Sequence, residues 1–309
     1  MIEQRYKDQV HLLLQALPYV AKEKSLALKG GTAINLFVHE MPRLSVDIDL
    51  VYLPLEDRET ALANISGCLK RISDDLKANI PNISVTPASR EGEDVKINCQ
   101  IPGAQIKIEV NTVTRGHAFP LRRMEVNETV EEEFGKFAAI NIISQEELFG
   151  GKICAALDRQ HPRDLFDIKQ LFENGEGLTT GIKNGFLIAL ISHMRPINEV
   201  IKPAFLNQKE TYTKQFSGMT AIDFSYEDFE ETREKLVKTI TEMLTDKDKR
   251  FLISFKKGEP DWSLFPVSEV EKLPAVQWKL HNINKLKEQN PDKHNTMVKA
   301  LEDKLLADK

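Results

Sequence analysis

This sequence is poor in cysteine and lacks long apolar runs and any large excess of one charge. Three cysteines, Cys68, Cys99 and Cys154, are scattered through 309 residues, odd in number and without metal-ligand spacing. That excludes a disulfide framework and a zinc site and fits a reduced, cytoplasmic compartment. No apolar stretch approaches the roughly 20 residues needed to span a bilayer, so no membrane partner is expected. The first residues, Met-Ile-Glu-Gln-Arg-Tyr-Lys, lack the apolar core of a signal peptide. A net charge of −5 gives no global argument for nucleic acid. Internal repeats and low-complexity linkers are absent too. What remains, 41% hydrophobic and 29% charged, is the balance of a soluble globular chain long enough for two domains.

The most informative stretch is residues 29–50, KGGTAINLFVHEMPRLSVDIDL. Asp47 and Asp49 alternate with Val46, Ile48 and Leu50, so on a strand both acids share one face and the aliphatics the other. Two adjacent carboxylates repel, and a fold tolerates them readily with a divalent cation between them; hard oxygen ligands suit magnesium or manganese. Gly30 and Gly31, just before a helix, offer bare backbone N–H groups and the positive end of a helix dipole, which suits a triphosphate. A phosphate cradle followed by metal carboxylates reads as nucleotidyl transfer.

Other elements follow from periodicity. Residues 5–23 form an opening helix, 26–28 a short strand, 32–39 a helix stopped by Pro42, and 46–53 the strand bearing the acids. A helix over 57–78 and strands over 83–88, 95–101 and 105–113, with a Pro102-Gly103 turn, complete a small mixed sheet backed by helices and ending near residue 135. The remainder is mainly α. Ser144 and Glu147 have capping-box spacing ahead of a helix to Arg159, a break at Gln160-His161-Pro162 precedes a helix over 163–173, and further helices span 182–205, 225–245 and 279–306. Residues 206–222 and 255–278 read as connections.

Glu109, two residues after Lys107, is the third acid. Alone it fits a salt bridge; with its strand beside Asp47 and Asp49, three acids converge as needed for two metal ions. Ser45 shares the face of the two aspartates and Arg43 lies just ahead of them, so either can meet a phosphate, while Arg43 also fits a loop pair with Glu40. Thr32 either caps the phosphate-binding helix or satisfies a backbone group. Lys152, Ala155, Ala156 and Arg159 share one helical face, and Asp164 and Asp167 are neighbours on the next helix. Two readings fit this cluster. In one, Arg163–Asp167 is an ion pair and Asp164 a first-turn acid. In the other, Lys152 neutralises triphosphate charge while Asp164 or Asp167 orients Lys152 or the acceptor. His161 reads as a loop residue and Trp262 and Trp278 as core. The basic groups Lys247, Lys249, Arg250, Lys256 and Lys257, and Lys279, Lys285, Lys287, Lys293, Lys299 and Lys304, read as solvated helix faces or as a local RNA patch.

Taken together these motifs resemble the AbiEii/AbiGii-type nucleotidyltransferase toxins, a branch of the DNA polymerase β-like nucleotidyltransferase superfamily. Residues 29–33 with 43–49 match the first motif, and Lys107 and Glu109 the second acidic strand, where many members carry Asp. Lys152 in its alanine-rich helix matches the third, and Arg163-Asp164-Leu165-Phe166-Asp167 the fourth. The resemblance implies an α/β (α+β) polymerase β-like domain over 1–135 and a helical domain over 136–309 that contributes Lys and Asp to the cleft. It also implies an NTP substrate, magnesium or manganese at Asp47, Asp49 and Glu109, and triphosphate binding by Gly30, Gly31, Thr32, Arg43, Ser45 and Lys152. The expected acceptor is RNA, the 3′ end of tRNA, and the expected role is a toxin with a cognate antitoxin or in phage-abortive infection. Two alternatives stay open: a regulator that transfers NMP to protein, and a catalytically silent NTP- or partner-binding module.

Overall fold

A computed structural model describes residues 3–90, 92–175 and 177–306, and the chain forms two compact units. The first runs to Ser144 and takes in Phe216–Asp223; the second comprises Gln145–Gln215 and the chain from Phe224 onward.

In the first unit, helix α1 (Gln4–Val20) buries Tyr6, Val10, Leu13, Leu14, Leu17 and Val20, the stripe its sequence spacing predicts. Strand β1 (Leu26–Lys29) leads into the short helix α2 (Gly30–Ala33), which widens into a π-helical turn over Ile34–Val38. Strand β2 (Asp47–Tyr52) follows, then helix α3 (Arg58–Asn79), whose first turn is capped by Asp57 accepting from Thr60 N at 3.0 Å. Strands β3 (Ser84–Arg90), β4 (Glu93–Ile101) and β5 (Ala104–Asn111) form the antiparallel meander that the Pro102-Gly103 turn predicts. Strand β6 (Arg122–Glu125), helix α4 (Glu128–Phe134) and strand β7 (Ala139–Ile142) complete the unit.

The seven strands form one mixed sheet in the order β3-β4-β5-β2-β1-β7-β6. β2 is antiparallel to β1 and parallel to β5, and β7 runs parallel to β1 with Leu28 opposite Ile142. α1 packs on β5 and β7, and α3 on β3 and β4, so the aliphatic side carrying Ile48, Leu50, Ile106, Ile108 and Val110 is covered. The sheet therefore does not end near residue 135. Its last strand, β7, is a four-residue Ala-Ile-Asn-Ile segment held by pairing to β1, too short for periodicity to reveal.

The second unit is helical among its described residues. α5 (Gln145–Arg159) starts where the Ser144 and Glu147 spacing predicts, and α6 (Pro162–Asn174) follows after the break at Gln160 and His161. The helix expected over 182–205 is two, α7 (Thr180–Ser192) and α8 (Ile197–Ile201), parted at Pro196, whose ring permits no helical hydrogen bond. The connection expected over 206–222 holds α9 (Lys209–Gln215), and α10 (Tyr226–Met243) and α11 (Asp246–Lys256) follow it. The last expected helix begins earlier and breaks at Pro291, giving α12 (Pro274–Gln289) and α13 (Pro291–Leu306). α5 crosses α7 backbone to backbone: a Cβ on Gly150 would lie 2.2 Å from the Gly185 carbonyl carbon, and one on Gly185 would lie 1.9 Å from Glu146 O. Trp262 packs with Phe251 and Phe255, as expected of a core residue. Trp278 does not: it is 52% exposed and stacks on His281 at 5.6 Å, because the face of α12 that turns inward carries Val276, Lys279 and Ile283.

Candidate active site

Strand register assembles the acids in rows. Lys29 of β1, Asp49 of β2, Glu109 of β5 and Lys96 of β4 stand side by side across four strands. The neighbouring row on the same face holds Asp47, Lys107 and Asn98. Behind both rows Ile48, Leu50, Ile97 and Ile108 are buried. Asp47, Asp49 and Glu109 thus converge on one patch, and Lys107 Nζ lies 2.9 Å from Glu109 Oε2. Burial works to lower the Lys107 ammonium, but its bond to Glu109 and the charges of Asp47, Glu109 and Asp49 outweigh this and raise it.

The glycine pair lies directly on this strand. Gly30 has φ +75°, and a Cβ there would come 2.8 Å from Asp49 Oδ2. A Cβ on Gly31 would come 2.8 Å from Arg43 Nη2 and 3.1 Å from Ser45 Oγ. Only glycine permits both the left-handed turn and the close approach. Thr32 is buried; its hydroxyl shares a hydrogen bond with Ser45 Oγ at 3.0 Å and donates to the Asp47 carbonyl. Thr32 and Ser45 thereby tie α2 to the acid strand. Arg43 is buried beneath the Gly31 turn and donates from Nη1 to Leu44 O at 2.9 Å. The returning segment Phe216–Asp223 pins this entry loop: Leu44 N donates to Met219 O at 2.8 Å and Thr220 Oγ1 to Pro42 O at 2.7 Å.

Lys152, Asp164 and Asp167 form a cluster of their own in the second unit. The turn between α5 and α6 is sharp: Gln160 has φ +50°, Pro162 opens α6, and His161 caps it, Nδ1 accepting from Arg163 N at 3.1 Å. His161 is a cap and not merely a loop residue. Burial lowers its pKa, and the cap requires a neutral ring whose Nε2–H faces Gln215 Oε1 at 3.1 Å. The turn aims the first turn of α6 at α5. Lys152 Nζ lies 2.9 Å from both Asp164 Oδ1 and Asp167 Oδ2, with side-chain exposures of 7%, 1% and 0% respectively. Arg159 Nε adds a bond to Asp164 Oδ2 at 2.6 Å. Burial pushes the Asp164 carboxyl up, but Lys152 and Arg159 outweigh it and hold the group well below the usual carboxylate range.

Among the described residues, no three His, Cys, Asp or Glu side chains are already gathered into a metal-holding group. The donor set on the acid face is nevertheless all hard carboxylate oxygen, which fits a divalent cation of the magnesium kind. The third acid is turned onto Lys107. Sequence reasoning left Lys96 unused, although alternation of Val95, Ile97 and Cys99 with Lys96, Asn98 and Gln100 puts Lys96 on the polar face. The pinning by Phe216–Asp223 had no signal, since it runs largely through backbone groups.

A glycine turn seated on a paired-acid strand, in a mixed sheet, is the build of a nucleotidyltransferase. In fold the chain is similar to the nucleotidyltransferase toxin MenT4 of Mycobacterium tuberculosis H37Rv, with a TM-score of 0.61 over 91% of this chain and 95% of that one at 14% identity. The family described as "Nucleotidyl transferase AbiEii toxin, Type IV TA system" matches residues 12–282, and the chain belongs to it, as its motifs predict. It is a nucleotidyltransferase toxin of a type IV toxin–antitoxin system, which implies an NTP substrate and a cognate antitoxin. No curated protein sequence matches the chain. Among the described residues no helix is long and apolar enough to cross a membrane.

Proposed function

We propose that the chain transfers NMP from an NTP to RNA, at the 3′ end of tRNA, in the cytoplasm and with Mg2+ or Mn2+ held by Asp47, Asp49 and Glu109. The observation that supports this best is the convergence of the three acids on one sheet face, with the Gly30-Gly31 turn packed against Asp49 and Arg43. A bound divalent cation supplies charge neutralisation at the triphosphate and a lowered pKa at the attacking hydroxyl. The acceptor hydroxyl gives its proton to solvent as its oxygen bonds to the α-phosphorus, the bond from that phosphorus to the α–β bridging oxygen breaks, and pyrophosphate leaves with the electron pair.

The protein contributes alignment and charge. Backbone N–H groups of the Gly30-Gly31 turn meet phosphate oxygens, while Thr32 and Ser45 fix the turn to the acid strand. Arg43, beneath Gly31, adds positive charge under the same oxygens. Within the second unit, Asp164 and Asp167 take two of the Lys152 protons and leave the third for a phosphate oxygen. The exposed cations Lys247, Arg250, Lys285, Lys293 and Lys299 are compatible with an RNA backbone, whereas Lys256 and Lys279 are buried and Lys257 and Lys287 are paired with Glu302 and Glu259.

The test is incubation of the purified chain with magnesium, each α-³²P-labelled NTP in turn, total RNA and total protein. Label in a tRNA-sized band, lost in Asp47→Ala and Asp49→Ala variants that remain folded, is the expected result. Label in protein alone would replace the RNA acceptor with a protein hydroxyl. Nucleotide binding without pyrophosphate release in either fraction would leave a silent binding module.

A further inference from the structure

We propose that Lys107 is a resident counter-cation of the acid face, holding Glu109 while no divalent cation is bound and giving it up when one binds. The inference rests on the reading of Asp47, Asp49 and Glu109 as metal ligands. The face is dense in acid: Asp49 stands directly beside Glu109 across the β2–β5 pair, with Lys29 and Lys96 at the two ends of that row, and Asp47 follows two residues away on the same side. Three carboxylates at strand spacing repel one another. Lys107 stands beside Asp47 in the register and places its ammonium 2.9 Å from Glu109 Oε2, so one side chain offsets charge in both rows.

The pair is built to exchange. The Lys107 and Glu109 side chains are 32% and 42% exposed, so the ammonium has water to move into, and an ion pair this open is only weakly self-stabilising. A lysine on a flexible stem can leave a carboxylate without backbone movement. Lys107 therefore competes with the metal and sets the concentration at which the acid face fills. It is a positioning residue: it acts through Glu109.

The measurement is Mn2+ affinity of the purified full chain without nucleotide, read from the electron paramagnetic resonance of free Mn2+ and from titration calorimetry. Lys107→Met should bind Mn2+ about tenfold more tightly than the parent chain, the scale expected for removing a half-screened neighbouring cation. Lys107→Arg should stay near the parent value, and Lys107→Gln carries the expectation of the Met variant should that one lose its circular dichroism. Equal or weaker binding by folded Lys107→Met and Lys107→Gln overturns the role of Lys107 and leaves the metal reading of the acids standing. Binding by neither the parent nor these variants, or binding that Asp49→Ala leaves unchanged, overturns the metal reading and this inference with it.

Discussion

Replacing Gly30 with alanine tests whether the phosphate turn and the acid strand are one device. Two costs arise. The residue sits at φ +75°, and an L side chain in left-handed backbone costs about 1–2 kcal/mol. The new Cβ would also stand 2.8 Å from Asp49 Oδ2 and 3.3 Å from Asp49 Cβ. Overpacking of this kind adds about 1–3 kcal/mol if Asp49 holds its place. If Asp49 rotates away, the stability cost shrinks and the carboxylate leaves its position instead. Gly103 separates the two costs: its φ is +87° in the β4–β5 turn, with nothing within 4 Å of a Cβ.

Gly103→Ala should therefore suffer the backbone strain alone. At about 2–4 °C per kcal/mol for a unit of this size, its melting temperature should fall by a few degrees, with Mn2+ affinity and nucleotide transfer unchanged. Gly30→Ala should lose at least tenfold in transfer, or fall markedly further in melting temperature than Gly103→Ala. Thermal melts and labelled-NTP transfer on the two variants side by side decide it. If Gly30→Ala matches Gly103→Ala in every measurement, the close approach to Asp49 is incidental and the reasoning fails.

Gly185→Ala should cost about 3 kcal/mol in urea unfolding, since its Cβ would lie 1.9 Å from Glu146 O and α5 and α7 must separate. Gly151→Ala, where nothing lies within 4 Å, should instead gain up to about 1 kcal/mol through helix propensity. Lys152→Met removes the cation from two buried carboxylates and should destabilise by about 3–5 kcal/mol in the same assay. Arg159→Gln should cost less than about 1 kcal/mol, its side chain being 60% exposed. Acid sensitivity follows from Asp164, whose pKa lies below the ordinary value because Lys152 and Arg159 outweigh burial. Its contribution is complete above about pH 3.9 and is lost as pH falls from there through the lower folded value. Urea midpoints measured from about pH 6 down to about pH 2 should show this limb, and Lys152→Met should flatten it.

Legibility in the sequence followed the range of the forces involved. Strict alternation over Val46–Leu50 put Asp47 and Asp49 on one face of their strand, and over Ile106–Val110 put Lys107 and Glu109 on one face of theirs, since period two is a local property; that the two faces join is set by the β2–β5 pairing. Spacing likewise put Lys152 and Arg159 on one face of α5 and made Asp164 and Asp167 neighbours on α6, while the contact between the two helices is set by the turn at Gln160 and Pro162. Strands β6 and β7 escaped because four residues carry too little pattern and exist by pairing with distant partners. The functional and structural accounts of Arg43 could not be separated from sequence, because what decides is its burial under Gly31. Trp278 misled for a related reason: its apolar neighbours Ala275 and Val276 are buried on another face of the same helix.

Burial also gives two similar lysine–carboxylate motifs opposite properties. Lys152 is 7% exposed between two carboxylates at 1% and 0%, and Lys107 is 32% exposed against Glu109 at 42%. For the buried group, removing either partner strands a charge in a low-dielectric interior, so the ammonium is fixed in place and orientation. For the open pair the net worth is about 0–1 kcal/mol, and water can take either partner. One lysine is thus locked between buried carboxylates and the other sits in an open pair that can exchange.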